Sequence, residues 1–259
     1  MTRHRGLLGA YLQRIYAQMV VRRYRAQQAC LEVDPAAMLL DVGCKDGQHS
    51  LELAAAIGTP RVVGLDYNDE ALRLAHGRGV QALRADASRD WPLASECADV
   101  VTAMDVLEHL VDPAKAIAEA FRVLKPAGYL VVATPNLASW HNWFALLIGQ
   151  QPFSGPNVTS MLDGDVAVVR QLHRRAYDLE DSCETVPTEA PELHRHIVVL
   201  TLRALLGALR RANFTVEFAR GYGYYPFGGW LASGLARLDP WHAHHIVVKA
   251  RKPSGGATT

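Results

Sequence analysis

The sequence predicts an α/β fold: a doubly wound, mostly parallel sheet with helices on both faces. Two observations carry that prediction. From residue 38 onward, apolar strand-like runs alternate with helical patterns, and right-handed crossovers turn such a β–α–β–α–β rhythm into a parallel sheet. The runs also end in carboxylates or glycine turns, at the strand ends where sheets of this kind hold their ligands. A chain of 259 residues, 49% hydrophobic, suits one large domain with a modest insertion.

Residues 1–35 read as a covering helix. Arg3, Arg5, Arg14, Arg22, Arg23 and Arg25 precede the first acid, Glu32, with Leu8, Tyr11, Leu12, Ile15 and Met19 at helical spacing between them. The expectation is a helix packed on the sheet with a solvated arginine face. The alternative is a helix that touches anionic lipid or an anionic acceptor, that is, a peripheral membrane contact.

The first strand, expected at 38–42, ends in Asp41-Val42-Gly43-Cys44-Lys45-Asp46-Gly47. Glycine belongs where φ must be positive or where a Cβ would collide with a ligand. A helix over 47–57 then aims its N-terminal amides across the turn. The dinucleotide pattern G-x-G-x-x-G fails here, because Lys45 and Gln48 hold its second and third glycine positions. The Asp41 carboxylate repels a pyrophosphate and welcomes an ammonium group, so the implied ligand carries a cation and no diphosphate. S-adenosylmethionine meets that description.

The next strands are expected at 61–66, 80–85, 98–104 and 128–133, with helices over 69–77 and 113–124. Leu65-Asp66-Tyr67 closes the second strand about 25 residues beyond Asp41, where doubly wound nucleotide folds place an acid on ribose hydroxyls. A carboxylate there accepts from both hydroxyls of a cis-diol. Asp86 and Ala87 close the third strand and can meet the amine and a ring nitrogen of adenine. After the fourth strand comes Asp105-Val106-Leu107-Glu108-His109, then Asp112-Pro113, a capping acid with proline at the first helical position. Lys125-Pro126-Ala127-Gly128 stops that helix and launches the fifth strand.

Taken in order, Leu39–Gly47, Val63–Tyr67, Ala85–Asp86, Leu107–Pro113 and Leu124–Gly128 resemble the class I S-adenosylmethionine-dependent methyltransferases of the type 11 sort. The resemblance covers residues 36–136 closely. It implies a Rossmann-like sheet of seven strands with one antiparallel pair, with the core at 36–136 and 197–252 and a lid over the acceptor at 137–196. The helix Val199–Ala212, a strand Phe214–Ala219 and a last strand at 244–250 complete the core, and 253–259 form a disordered tail. It also implies S-adenosyl-L-methionine as cofactor, held by Asp41, Gly43, Lys45, Gly47, Asp66, Tyr67, Asp86, Ala87 and Asp105. The chain departs from the family at two glycines, which are Lys45 and Ala127 here.

Methyl transfer from a sulfonium is an in-line displacement that needs alignment more than a covalent partner, and a base matters only where the acceptor loses a proton. No single catalytic side chain is therefore fixed; Asp105, His109 and His141 are the candidates. His173, His194 and His196 read as ordinary polar lid residues. No metal is expected, with Glu108 and His109 bracing the loop. Set beside that is a metal reading on Asp105, Glu108 and His109, from the similar E-x-x-E-H of ubiquinone-pathway and small-RNA 2′-O-methyltransferases. The aromatic loop Tyr222–Trp230 stacks on a planar acceptor or packs as core.

A formal charge of +1 gives no whole-protein reason to expect nucleic acid. No apolar stretch approaches the roughly 20 residues of a membrane span, and the start lacks a signal-peptide pattern. Cys30, Cys44, Cys97 and Cys183 are scattered, as in a reduced, cytoplasmic protein without a disulfide framework. The expected function is methyl transfer from S-adenosylmethionine to a small-molecule acceptor. The alternatives are a macromolecular or lipid acceptor (RNA, protein), or a non-catalytic S-adenosylmethionine-binding module. Acceptor identity and oligomeric state do not follow from the sequence.

Overall fold

In the computed structural model, which describes residues 7–155 and 196–255, the alternation of apolar runs and helical patterns becomes one sheet. The strands are β1 (Leu39–Val42), β2 (Val62–Asp66), β3 (Gln81–Arg84), β4 (Ala98–Met104), β5 (Leu124–Pro135), β6 (Thr215–Tyr222) and β7 (His245–Arg251). The helices are α1 (Leu7–Ala29), α2 (Gln48–Ile57), α3 (Asp69–Gly77), α4 (Pro113–Val123), α5 (Trp140–Leu147), α6 (Leu202–Arg211) and α7 (Gly229–Leu238). His173, Cys183, His194 and most of the expected lid lie outside the described residues.

The strand order is β3-β2-β1-β4-β5-β7-β6. Strands β1 to β5 pair in parallel, and β7 runs antiparallel to both β5 and β6. The register sets Val42 beside Leu65 and Ala103, Met104 beside Ala133, and His245 beside Pro135 and Tyr222. Gly43, Asp66, Asp105, Asn136 and Tyr222 therefore fall along one carboxyl edge.

Because side chains alternate across a strand, β1 feeds two cores. Leu40 and Val42 face α4 and α6 with Ile117, Val123, Leu205 and Leu209. Leu39 faces α2 and α3 with Leu53, Ile57, Ala75 and Val80. Each fully buried leucine contributes about 1.5–3 kcal/mol. The helix starts follow local chemistry: Asn68 caps α3 through the amides of Glu70 and Ala71, and Asp112 caps α4 through that of Lys115.

Two elements differ from expectation. β5 begins directly at the end of α4 and runs to Pro135, six residues longer than the 128–133 expected, because β4 and β7 pair with it on both sides. The helix α7 starts inside the loop expected up to Trp230 and covers residues to which the sequence reading gave no element; Gly228, Gly229 and Gly234 mask its helical pattern. No helix among the described residues is long and apolar enough to cross a membrane.

The helix α1 covers the sheet near β6 and β7, as expected, but not with a wholly solvated arginine face. Ile15, Met19, Arg23 and Gln27 form its buried stripe, and Arg23 is only 1% exposed.

Candidate active site

The turn after β1 is built for close approach. Gly43 and Gly47 take φ values of 75° and 79°, and a Cβ on Gly43 would lie 2.5 Å from Val106 Cγ2. The amides of Gly43 and Cys44 donate to Leu65 O, and Lys45 N donates to Asp66 Oδ2 at 3.0 Å, so the turn folds back over β2. Lys45 itself holds φ 49°, a left-handed conformation costly for a residue with a Cβ.

Asp41 was expected against the ligand's ammonium group. Its oxygens turn inward instead, each accepting a hydroxyl at 2.6 Å, one from Ser50 and one from Thr102. The carboxylate thus ties β1 to α2 and β4 behind the turn, and burial pushes its pKa up. Asp66 gathers three amides: Lys45 N on Oδ2, and Tyr67 N at 2.8 Å and Asn68 N at 3.0 Å on Oδ1. Those donors hold a carboxylate at the mouth of the turn. Tyr67 stands half exposed beside it. Asp86 is exposed at the end of β3, accepting from Ser88 N and Arg89 Nε, and Ala87 is buried next to it. Open glycine backbone with a carboxylate at its mouth fits a sulfonium nucleoside.

At the end of β4, Asp105 takes φ 55° and receives a partner the sequence reading missed. Arg23 of α1 reaches it, Nη2 to Oδ2 at 2.9 Å. Arg23 Nη1 also lies 3.3 and 3.2 Å from the two ring nitrogens of His245. Burial, then the neighbouring Arg23, holds His245 well below the ordinary imidazole range, so it is neutral at pH 7. The missed signal was a spacing: positions 15, 19, 23 and 27 step by four, which puts Arg23 on the apolar stripe.

Beyond Asp105 stands a wall of imidazoles. His141 Nε2 lies 3.1 Å from His244 Nδ1 and 3.4 Å from Ser154 Oγ. The His244 and His245 rings are 4.9 Å apart, and Tyr225 packs 5.4 and 5.1 Å from His141 and His244. His196 Nδ1 contacts Ser154 O at 3.0 Å, and its ring lies 5.1 Å from that of His109. Of the aromatic loop, Tyr225 joins this wall while Trp230 stands in solvent.

The metal-type grouping differs from the one the sequence suggested. Asp105 pairs with Arg23, and the donor atoms that converge, within 4.8 Å of one another, belong to Glu108, His109 and His196. Glu108 is buried, accepts from Thr134 Oγ1 at 2.9 Å, and has its pKa driven well up by burial and then by Asp105. A carbonyl acceptor at Nδ1 makes Nε2 the lone-pair nitrogen of His196, the arrangement that orients ligating imidazoles. One carboxylate and two imidazoles fit a borderline divalent cation.

Residues 40–132 match the family model described as "Methyltransferase domain". A probable S-adenosylmethionine-dependent methyltransferase of Mycolicibacterium smegmatis is 36% identical over 99 residues, 38% of this chain and 38% of that protein. A ubiquinone biosynthesis O-methyltransferase of Photobacterium profundum is 34% identical over 122 residues, 44% of this chain and 50% of that protein. The chain thus spans half or less of the length of these curated relatives. The solved S-adenosylmethionine-dependent methyltransferase of Mesorhizobium loti shares the fold, with a TM-score of 0.57 at 19% identity over 88% of this chain and 96% of that one. With the motif order, the strand order and the edge of acids in agreement, residues 40–132 form a methyltransferase domain of the class I S-adenosylmethionine-dependent kind.

Proposed function

We propose that the protein transfers the methyl group of S-adenosylmethionine to a hydroxyl of a small-molecule acceptor. The observation that carries this reading is the run of groups along one sheet edge, from the glycine turn and Asp66 through Asp105 to the imidazoles of His141 and His244. Donor and proton acceptor then stand side by side. The Photobacterium relative, a ubiquinone biosynthesis O-methyltransferase, supports the acceptor class.

In the reaction, the acceptor oxygen attacks the methyl carbon in line as the S–CH₃ bond breaks, and the electron pair stays on sulfur as a thioether. The hydroxyl proton passes to the His141 ring at the nitrogen away from His244, and Nε2, 3.1 Å from His244 Nδ1, donates to it so that the pair spreads the positive charge. Gly43 and Gly47 let the turn's backbone lie against the donor, Asp66 accepts its ribose hydroxyls, and Asp86 its adenine amine. Alignment of this kind supplies roughly 7–11 kcal/mol of barrier reduction, and a positioned base a further 10²–10⁴-fold. A divalent cation held by Glu108, His109 and His196 would supply positive charge that acidifies a nearby hydroxyl.

Calorimetry with S-adenosylhomocysteine tests the donor half: the wild type binds, and Asp66→Ala lowers the affinity at least a hundredfold. A methylation screen over hydroxylated small molecules tests the acceptor half, with His141→Ala slowing turnover about a hundredfold while leaving S-adenosylhomocysteine binding intact. A wild type that fails to bind S-adenosylhomocysteine ends the reading. Binding with no turnover of any acceptor points to a non-catalytic module, and turnover of RNA, protein or lipid alone replaces the acceptor class.

A further inference from the structure

Between α1, the outer strand β6 and α7 lies a cavity of about 550 Å³, in the size range of small-molecule sites. It is remote from Asp66 and Asp86, because β6 is the sheet edge opposite β3 and β2. Small residues keep it open: Ala26 and Ala29 on α1 face Ala232 and Ala236 on α7.

Its chemistry is one-sided. Arg22, Arg25, Arg220 and Arg237 line it, and among the described residues no aspartate or glutamate does. Arg25, Arg220 and Arg237 are exposed, so they form the rim. Elsewhere some surface arginines are paired, Arg73 with Glu70, Arg84 with Asp69, Arg89 with Asp86 and Arg251 with Glu217, while others, such as Arg61 and Arg203, meet a carbonyl or a ring. The four at the cavity have no carboxylate partner among the described residues. Arg22 donates instead to neutral oxygens, Gly229 O at 2.5 Å and Ser233 Oγ, while Arg220 lies over the Phe218 ring, 4.7 Å from its centroid. Four like charges converging on one opening repel one another unless an anion joins them. Below the rim, Ile15, Met19, Ala232 and Ala236 make a buried apolar floor.

We infer that this cavity is a second ligand site, which takes an amphiphilic anion: one phosphate or carboxylate head at the arginine rim and an apolar body on the floor. Arginine is suited to the head because its planar fork meets a phosphate or carboxylate with two parallel hydrogen bonds. The site stands apart from the methyl-transfer reading, and its test reads binding alone.

The probe is decyl phosphate below its micelle concentration, titrated calorimetrically into the full chain. The expected result is saturable one-to-one binding that weakens as salt rises. Decanol and decyltrimethylammonium bind at least tenfold more weakly. The exposed pair Arg25→Glu/Arg237→Glu loses at least tenfold in affinity while keeping the wild-type melting temperature. Ala29→Trp, which crowds the cavity without changing charge, loses binding as well. Equal binding of decanol, unchanged affinity in the charge-reversed variant, or binding to phosphatidylglycerol vesicles without binding of the monomer would each overturn the inference.

Discussion

At the scale of single residues, Lys45 and Ala127 hold the most useful surprise. Both stand where the family carries glycine, and both keep a positive φ, 49° and 67°. The backbone path of the two turns is therefore retained without the residue that adopts it freely. Each position bears a left-handed cost, which leads to a direct expectation. Lys45→Gly and Ala127→Gly should each stabilise the protein by about 0.5–1 kcal/mol, the loss of chain stiffness in the unfolded state offsetting part of the relief. A rise of roughly 1–4 °C in melting temperature checks it. For Lys45→Gly, affinity for S-adenosylhomocysteine should hold or improve, because Lys45 meets Asp66 through its amide and not its side chain.

At the scale of elements, α4 illustrates how a helix is secured at both ends. Asp112 caps its start, and on its inner face Glu119 accepts from Arg122 Nη2 at 2.7 Å and from Trp91 N at 2.8 Å, which pins the loop before β4. The Arg122 guanidinium holds the Glu119 carboxyl down at about 2. A depressed folded-state pKa contributes stability above the unfolded value near 4.5 and loses it as pH falls through about 2. Glu119→Gln should thus cost about 2–3 kcal/mol in urea unfolding at pH 7, and the gap to wild type should narrow below pH 4.5 and close near pH 2. An unchanged gap across that range would remove the ion pair from the account.

At the scale of the whole molecule, α1 is more than a cover. Through Arg23 it joins the end of β4 at Asp105 to the start of β7 at His245, so the N-terminal helix sets the strand end beside the proposed methyl-transfer site. Removing one partner from such a pair leaves uncompensated charge. Arg23→Ala should cost about 3 kcal/mol in stability and weaken S-adenosylhomocysteine binding at least tenfold. Arg23→Met, which keeps the packing volume and drops the charge, should recover part of the stability and none of the affinity. Parallel recovery of both would mean that Arg23 acts only by filling space.

The sequence by itself determined the parallel βα units, the glycine turn and the acids at successive strand ends. Each of these is written in neighbouring residues: a strand period, a cap, a turn whose backbone needs Gly43 and Gly47. Even α7, which its glycines hid, left the strands around it readable. Tertiary structure alone decided which distant residues share the edge. Arg23 meets Asp105 and His245, Asp105 thereby leaves the metal-type group, and His196 takes its place beside Glu108 and His109. The physical reason is that these meetings depend on how α1 docks and on β7 entering antiparallel between β5 and β6. Such contacts join residues tens to hundreds of positions apart, and no local period or cap encodes them.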